Sequence, residues 1–593
     1  MMDINDAIQM ALSAQQSGDL KSAGNIYLEI LKVHPDNVSA LHFLGLIYYK
    51  QRDFNSASKY IKEALRLEPT YVEARYNLGI IFQELGNHDE ALACFRNALD
   101  LRPDYAEAYR NLGAVLQSQG NLDGAITTYQ KALQINPELP DVHRFLGYLF
   151  RDKGMLDEAI ACFEKALIIQ SDLPDVYNNL GIAYRDKGIF DKAIVCFQKA
   201  LLIQPDLPDV YNNLAATFRD KGYLDEAIIC FRKALQYNPD FTEALNNLGV
   251  ALQEKREFDS AIACFKKALQ INSNFASAHW NLALIHLLTA NFEEGWKEYI
   301  WFWKLRNSPK HSFSQPLWEG SNIKGKTILF YSEQGLGDAI QFIRFLPLIT
   351  QRGAKVIVEC QRELLSLLQN MPEISRIIAP GENLPEFDIH CSLLMLPALF
   401  KTTLENIPAK IPYLTASRVL VQKWHNKLIC NNSKLKIGIA WSGGHRDSIL
   451  HLRACRLELF APLAKLDEVI FYSLQKGAGS EQAKNPPEGM ELIDYTDEIS
   501  DFSDTAALMQ NLDLIISVDT AVAHLAGALG RPVWTLLPFS ADWRWMLNRK
   551  DSPWYPTMRL FRQENPADWD GVFTCVYHAL NEILQKNGHY IKN

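Results

Sequence analysis

Residues 172–205 read DLPDVYNNLGIAYRDKGIFDKAIVCFQKALLIQP, and residues 206–239 read DLPDVYNNLAATFRDKGYLDEAIICFRKALQYNP. The second line is the first shifted by 34 residues, and that period runs through the first half of the chain. Pro35, Pro69, Pro103, Pro137, Pro205 and Pro239 fall on it, with Ser171 and Ser273 in the two remaining places. A second phase holds Gly45, Gly79, Gly113, Gly147, Gly181 and Gly249, with Ala215 substituting once. A third holds Ala23, Ala57, Ala91, Ala125, Ala159, Ala193, Ala227 and Ala261, and a fourth Phe95, Phe163, Phe197, Phe231 and Phe265. Two antiparallel helices per period account for the pattern. Small residues let the helices approach, and the aromatic is expected to fill the gap against the next repeat. Gly86, Gly120, Gly154, Gly188 and Gly222 end the first helix, where a left-handed residue is favoured. Proline follows the second helix because it cannot continue one.

This array resembles the tetratricopeptide repeat, whose period is 34. Eight repeats and an aromatic ninth, Ala276 to about Arg306, are expected to form an α-solenoid over residues 1–306. Such a stack presents a groove to partners. Asn77, Asn111, Asn179, Asn213, Asn247 and Asn281 share one position of the first helix. An amide offers donors and acceptors, so a ladder of them suits an extended peptide backbone. The ladder resembles that of the O-linked N-acetylglucosamine transferases, which implies a protein or peptide in the groove. The alternative is that each asparagine caps and spaces neighbouring repeats.

The 593 residues are too many for one core. A hydrophobic share of 48% and a charged share of 22% argue against a largely disordered chain. The net charge of −9 and the lack of a basic run argue against a nucleic-acid partner. MMDINDAIQM has no basic stretch followed by an apolar one, so no secretory signal is expected. No segment is apolar for long enough to span a bilayer, and a cytoplasmic location is expected. Cys94, Cys162, Cys196, Cys230 and Cys264 share one repeat phase and read as small reduced apolar residues, too far apart for neighbouring disulfides.

Residues 307–326 contain Pro and Ser and read as a linker. Short apolar runs then alternate with amphipathic helices: Thr327–Glu333, Val356–Cys360 and Ile377–Ala379, and after Pro412, Ile437–Trp441, Val469–Leu474, Leu514–Val518 and Val533–Leu537. Strands alternating with helices imply parallel sheets. Two tandem units imply two Rossmann-like lobes: residues 327–417 on the acceptor side, residues 418–593 on the donor side. Ligands then bind at the carboxyl ends of the strands.

Three motifs stand at such ends. Glu333-Gln334-Gly335-Leu336-Gly337-Asp338 begins like a dinucleotide fingerprint, but Ile340 replaces the third glycine. Asp338 would repel a phosphate there, so a dinucleotide site is rejected. A carboxylate at a helix N-terminus is stabilised by the helix dipole and, if it lines the cleft, can take a proton from a hydroxyl. The alternative is a plain first-turn residue. Asp519-Thr520-Ala521-Val522-Ala523-His524 follows an apolar strand. Its helix N-terminus suits a diphosphate, and Thr520 and His524 share one face; alternatively Asp519 and Thr520 cap the helix while His524 packs inside. Trp441-Ser442-Gly443-Gly444-His445 ends another strand, with Arg446, Arg453 and Arg456 beyond to neutralise phosphate or to form a solvated basic loop. Ser473 to Gly477, including Lys476, ends the next strand, and Glu481 beyond it suits ribose hydroxyls.

LGDAIQFIRFLP, residues 336–347, resembles the glycine–aspartate segment of heptosyltransferases, glycosyltransferase family 9. SVDTAVAHLAGALGRPVW, residues 517–534, resembles that family's donor-site strand and helix. The chain is similar to bacterial tetratricopeptide proteins carrying this domain, which share LLPFSADWRW and SPWYPTMRLFRQ; the likeness covers about Gly325 to Leu584. It implies a GT-B fold and an inverting transferase. Asp338 would be the base; Asp519, Thr520 and His524 the nucleotide-diphosphate motif; Arg453 a phosphate ligand; Glu481 a ribose ligand; and Ser442, Gly443 and Lys476 further donor contacts. The chain departs from the family at Ala521, where glycine is usual, and at Ala454-Cys455 after Arg453, which leaves the basic loop's role open. No metal or cofactor is expected, because helix dipole and arginine can stabilise the leaving diphosphate. Asp568-Trp569-Asp570 has the form of a metal motif, but its place before the last helix suits a cap. Trp543, Arg544 and Trp545 either line the cleft or brace the lobes.

The expected function is sugar transfer from a nucleotide diphosphate to a glycan or protein hydroxyl, with the repeats recruiting acceptor or partner. Two alternatives stand beside it: a repeat scaffold with an inactive transferase fold, and a protein O-linked N-acetylglucosamine transferase-like enzyme.

Overall fold

The computed structural model describes residues 3–302, 313–333, 335–428, 434–443 and 454–588. The chain divides into two compact units, Met1–Pro239 and Asp240–Asn593.

In the first unit, helices alternate in two lengths, such as Pro140–Asp152 with Leu156–Ile169 and Pro174–Asp186 with Phe190–Ile203. Between the members of a pair, Gly154 and Gly188 sit at φ 74° and 75°, so glycine ends the helix where a side chain would be strained. The aromatic of each period fits against the glycine of its own helix pair, and in the same phase Tyr27 and Tyr129 also stack on Phe43 and Phe145 of the next repeat, at 5.8 and 5.7 Å. A Cβ on Gly147 would lie 2.4 Å from Phe163 Cε1, and one on Gly181 2.7 Å from Phe197 Cε1. The missing side chain is the socket for the ring. Burial pushes the Cys94, Cys162, Cys196 and Cys230 thiols up to about 11, which makes them poor nucleophiles.

Most of the asparagines reach back to the preceding repeat. Asn111 Nδ2 donates to Tyr76 Oη at 2.9 Å, and Asn213 Nδ2 to Asn178 Oδ1 at 3.0 Å. Asn77 Nδ2 lies 2.9 Å from His42 Nε2. Within the second unit Asn281 Nδ2 donates to Asn246 Oδ1 at 2.9 Å. Asn179 instead donates to the Asp175 carbonyl at 2.7 Å and accepts from Arg151. These bonds tie neighbouring helix pairs of the stack together.

His42 shows how tightly that bracing is set. An amide nitrogen only donates, so Nε2 must accept, and the remaining Nδ1–H is left for the Tyr71 hydroxyl at 2.8 Å. The ring is neutral in this arrangement, and burial lowers its pKa to about 4 against the opposing pull of Glu73. The unfolded chain therefore binds the extra proton between pH 6.5 and 4. The stabilisation is fully present above about pH 6.5 and lost as pH falls through about 4. His42→Gln keeps an acceptor and a donor without titrating. It is expected to flatten the pH dependence of stability in that window, measured by urea denaturation followed by circular dichroism. An unchanged slope would remove His42 as its source.

The second unit opens with two more helix pairs, Thr242–Glu254 with Phe258–Ile271 and Ala276–Leu288 with Phe292–Tyr299. The last pair joins the α/β core: Leu287, Phe292, Trp296 and Tyr299 are buried in one cluster with Ile328 and Phe330. Trp296 Nε1 donates to the Thr402 carbonyl at 2.6 Å. The aromatic ninth repeat is apolar because it has a sheet layer to cover.

Two parallel sheets follow. The first contains β1 (Thr327–Tyr331), β2 (Lys355–Glu359), β3 (Ile374–Ile378) and β4 (Ile389–Ser392), in the order β3-β2-β1-β4. The second contains β5 (Leu435–Ala440), β6 (Val469–Ser473), β7 (Leu492–Asp494), β8 (Leu514–Val518), β9 (Val533–Leu537) and β10 (Met558–Arg562), in the order β10-β9-β8-β5-β6-β7. β4, β7 and β10 were not expected from the sequence. Numbered within its own sheet, the second has the doubly wound order 3-2-1-4-5-6, and the order reverses between β5 and β8. Asp568 accepts from Gly571 N at 2.9 Å and so caps the final helix, Trp569–Gly588.

Candidate functional site

The strand order reverses between β5 and β8, and in doubly wound sheets ligands bind at the carboxyl ends of the strands at such a reversal. Both ends carry sequence motifs. β5 leads into Trp441-Ser442-Gly443, and β8 into Asp519-Thr520. A Cβ on Gly443 would stand 3.7 Å from Thr520 Cγ2, so the two motifs touch.

Thr520 is the N-cap of the Ala521–Ala528 helix, accepting from Val522 N at 3.3 Å, and its hydroxyl lies 3.1 Å from Ser517 Oγ. Capping uses one donor of the first turn; the others are oriented toward the helix start. His524 is buried in the same helix. Its Nδ1 lies 2.9 Å from Tyr555 Oη and its Nε2 3.9 Å from Asp519 Oδ1, while its ring stacks on Trp545 at 5.3 Å. Burial raises the Tyr555 phenol well above its ordinary pKa, so it stays a neutral hydroxyl beside the imidazole. Gly527 makes room for that tyrosine: a Cβ there would lie 2.4 Å from Tyr555 Cδ1.

Gln475 organises the adjoining loop, a role the sequence did not reveal. It is buried, its Oε1 accepts from Trp441 N at 3.0 Å and Ser442 N at 2.8 Å, and its Nε2 donates to the Ala478 carbonyl at 2.8 Å. One amide thus fixes the Ser442-Gly443 turn against the loop after β6. Lys476 is exposed and its ammonium donates to the Ile499 carbonyl; Glu481 is exposed in the short Ser480–Lys484 turn. Arg453, Arg446, Gly444 and His445 lie outside the described residues.

Asp338 stands in the first turn of the Leu336–Phe342 helix, after β1. Its Oδ2 accepts from Gly335 N at 3.1 Å, and its Oδ1 pairs with Arg544 Nη2 at 2.5 Å. Arg544 also holds Asp542 at 2.9 Å and donates from Nε to Gln341 Oε1 at 2.6 Å. Burial disfavours the guanidinium charge, but the Asp542 and Asp338 carboxylates outweigh it and push its pKa up. Beside it the buried Arg344 donates to the Gln341 and Trp554 carbonyls and to Tyr413 Oη.

The Asp338 turn and the Thr520 helix meet at Gly337. A Cβ on Gly337 would lie 2.8 Å from His524 Cδ2 and 3.5 Å from Ala521 Cα. Glycine is required by close approach, not by dihedral angle. The turn after β1 is thereby held against the first turn of the helix after β8. Arg544, left open between cleft and brace, is in contact with Asp338 and braces this junction.

Comparison with known proteins agrees with both halves. Tetratricopeptide-repeat profiles match residues 71–138, 147–188, 174–207, 217–256 and 242–275, and one described as anaphase-promoting complex, cyclosome, subunit 3 matches residues 16–98. The profile described as glycosyltransferase family 9 (heptosyltransferase) matches residues 462–570. The chain carries tetratricopeptide repeats and a C-terminal glycosyltransferase family 9 segment. That match includes Thr520 and His524 and does not extend to Asp338. Protein FlbA of Caulobacter vibrioides is 27% identical over 332 residues, which is 51% of this chain and 54% of FlbA. The chain thus spans about half the length of the curated relative it matches. Among solved structures, MamA is 28% identical at a TM-score of 0.27, covering 28% of this chain and 96% of its own. YrrB, titled a TPR protein with an unusual peptide-binding site, is 25% identical at 0.29, covering 31% and 95%. Among the described residues no helix is long and apolar enough to cross a membrane.

Proposed function

We propose that the second unit is a GT-B-type glycosyltransferase that moves a sugar from a nucleotide diphosphate to an acceptor hydroxyl, with inversion and without a metal. The observation that carries this is the contact at Gly337, which sets a carboxylate-bearing turn against the first turn of the Thr520-capped helix. In this reading the donor diphosphate lies at that helix, where N–H groups and the dipole stabilise its charge as the sugar leaves. Ser442 and Gly443 border it, Lys476 and Glu481 stand on the adjoining loops, and Arg453 supplies further charge. Asp338 takes the proton of the acceptor hydroxyl, which attacks the anomeric carbon opposite the diphosphate. The repeats recruit a protein or peptide partner, to which the asparagine carbonyl oxygens offer acceptors beyond their bracing bonds. A cytoplasmic location fits a nucleotide-sugar donor.

The test is thermal denaturation of the full chain with ADP-, UDP-, GDP- and dTDP-sugars. One nucleotide class is expected to raise Tm, because a ligand of the native state alone stabilises it by mass action. Thr520→Ala is expected to lose that rise while costing about 1 kcal/mol of stability through the lost cap. Absence of a shift with every donor overturns the donor site.

One observation favours the scaffold reading: Asp338 is engaged by Arg544 and Gly335 N. A protein that binds donor yet transfers nothing to any acceptor supports that reading.

A further inference from the structure

The loop after β9, residues 538–547, carries Arg544, which pairs with Asp338 at 2.5 Å, and Trp545, whose ring stacks on His524 at 5.3 Å. Its shape is imposed from outside. Met546 has φ 55° and ψ −172°, a conformation strained for any residue with a side chain, which persists only where the surroundings over-determine it. Residues 543–546 are buried.

The closing repeats hold the loop on one side. Trp296 and Tyr299, in the last repeat helix, meet the Trp543 ring edge-on, with centroids 5.5 and 6.3 Å away. Arg256, after the Thr242–Glu254 helix, lays its guanidinium over the Phe539 ring, 3.7 Å from the centroid, and its Nη2 donates to the Phe539 carbonyl. Arg256 stands at φ 61°, where the two preceding repeats have Gly188 and Gly222 at 75° and 88°. Arg52 and Ala290 also adopt that conformation, so what sets Arg256 apart is its hold on Phe539. The α/β core holds the other side. Phe539 N donates to Gln563 Oε1 at 3.0 Å, Arg544 Nε to Gln341 Oε1 at 2.6 Å, and Arg562 Nη2 to the Trp545 carbonyl. Within the loop the Arg544 guanidinium rests on the Trp543 ring, 4.7 Å from its centroid, so a shift of Trp543 shifts the partner of Asp338. Burial raises the Tyr299 phenol above its ordinary pKa; the Arg544 charge opposes this and the Asp338 and Asp542 carboxylates reinforce it, which places the last repeat within electrostatic reach of the site.

We propose that the closing repeats are part of the transferase site: Arg256, Trp296 and Tyr299 are positioning residues that act through the loop after β9 to hold Arg544 on Asp338 and Trp545 on His524. The proposal rests on the glycosyltransferase reading and adds that the repeats set the geometry of transfer as well as recruiting a partner. A misplacement of about 1 Å caused far from the chemistry can cost about a hundredfold in rate.

The experiment compares the full wild-type chain with Arg256→Gly, which restores the residue of the sister repeats and relieves the left-handed strain while releasing Phe539. Tyr299→Leu removes a ring from Trp543, and Tyr299→Phe keeps it. The donor is the nucleotide sugar that raises Tm, and turnover is release of nucleoside diphosphate with water in place of the acceptor. Arg256→Gly and Tyr299→Leu are expected to lower kcat by about tenfold to a hundredfold and to leave the donor KM within about twofold, because the Thr520 helix is untouched. Tyr299→Phe is expected to keep most of the rate. In hydrogen exchange, residues 335–342 are expected to lose protection in Arg256→Gly, which decides the matter if Tyr299→Leu fails to fold. An unchanged kcat in Arg256→Gly, beside a wild type that turns over, overturns the proposal, and so does a raised one, which would make the repeats a restraint on the site. No Tm rise with any donor overturns the underlying glycosyltransferase reading instead. Unchanged exchange in residues 335–342 overturns the positioning chain whichever way the donors behave.

Discussion

Arg544→Met is expected to destabilise the Asp240–Asn593 unit by about 3–5 kcal/mol, the usual cost of removing one member of a buried ion pair. Arg544 is 9% exposed, and its carboxylate partners Asp338 and Asp542 are 20% and 15% exposed. Methionine fills much of the same volume, so lost packing contributes little. What remains is two carboxylates in a poorly hydrated site, together with a Gln341 side chain deprived of its donor. Lysine is not expected to rescue, because one ammonium cannot reproduce contacts made at once by Nε, Nη1 and Nη2. All 12 tryptophans lie between Trp280 and Trp569, so tryptophan fluorescence in a urea titration reports this unit alone. The pairing also makes a coupling test available. Asp338→Asn combined with Arg544→Met is expected to cost less than the sum of the single changes. A loss below about 1 kcal/mol for Arg544→Met would show that the site hydrates freely and that the cluster is not a brace.

Asp338→Asn carries the largest expected effect on chemistry. On the proposed reading it lowers the transfer rate by about 10²–10⁴, the range attributed to a positioned base. Asparagine is isosteric and can still accept from Gly335 N, so the turn is expected to keep its shape. The donor-induced rise in Tm is expected to persist, because the diphosphate is assigned to the Thr520 helix. Loss of transfer with retained donor binding separates a chemical role from a structural one. Retained transfer removes Asp338 as the base and leaves it as a partner of Arg544. Loss of donor binding as well would mean that the Arg544 junction, not proton transfer, had been broken.

Much of this architecture is legible in the chain. The 34-residue period sets helix lengths, turn glycines and the ring-on-glycine socket, because each repeat uses the same local contacts. β1, β2, β5, β6, β8 and β9 announce themselves as apolar runs, being buried on both faces. The missed strands lack that signature. β7 is three residues long, β4 contains His390, and β10 begins and ends beside arginine. Their partners supply the pairing that their own residues do not advertise. The aspartate and threonine motifs were readable because a strand-to-helix turn needs particular residue types. Gln475, Gln341 and Tyr555 were not, since each acts on a segment distant in sequence and no local spacing marks it.

The sequence by itself determined the repeat, the class of the second unit and the turns where chemistry is to be sought, all consequences of periodicity and of local backbone demands. Only the tertiary structure decided what those turns touch. It placed the asparagines largely on the preceding repeat, His524 on Tyr555 and Gly337, and Asp338 on Arg544, 206 residues away. Partners so remote in sequence meet only after strand order and layer packing are fixed. Those depend on burying both faces of each sheet at once, and no stretch of the chain encodes that condition alone.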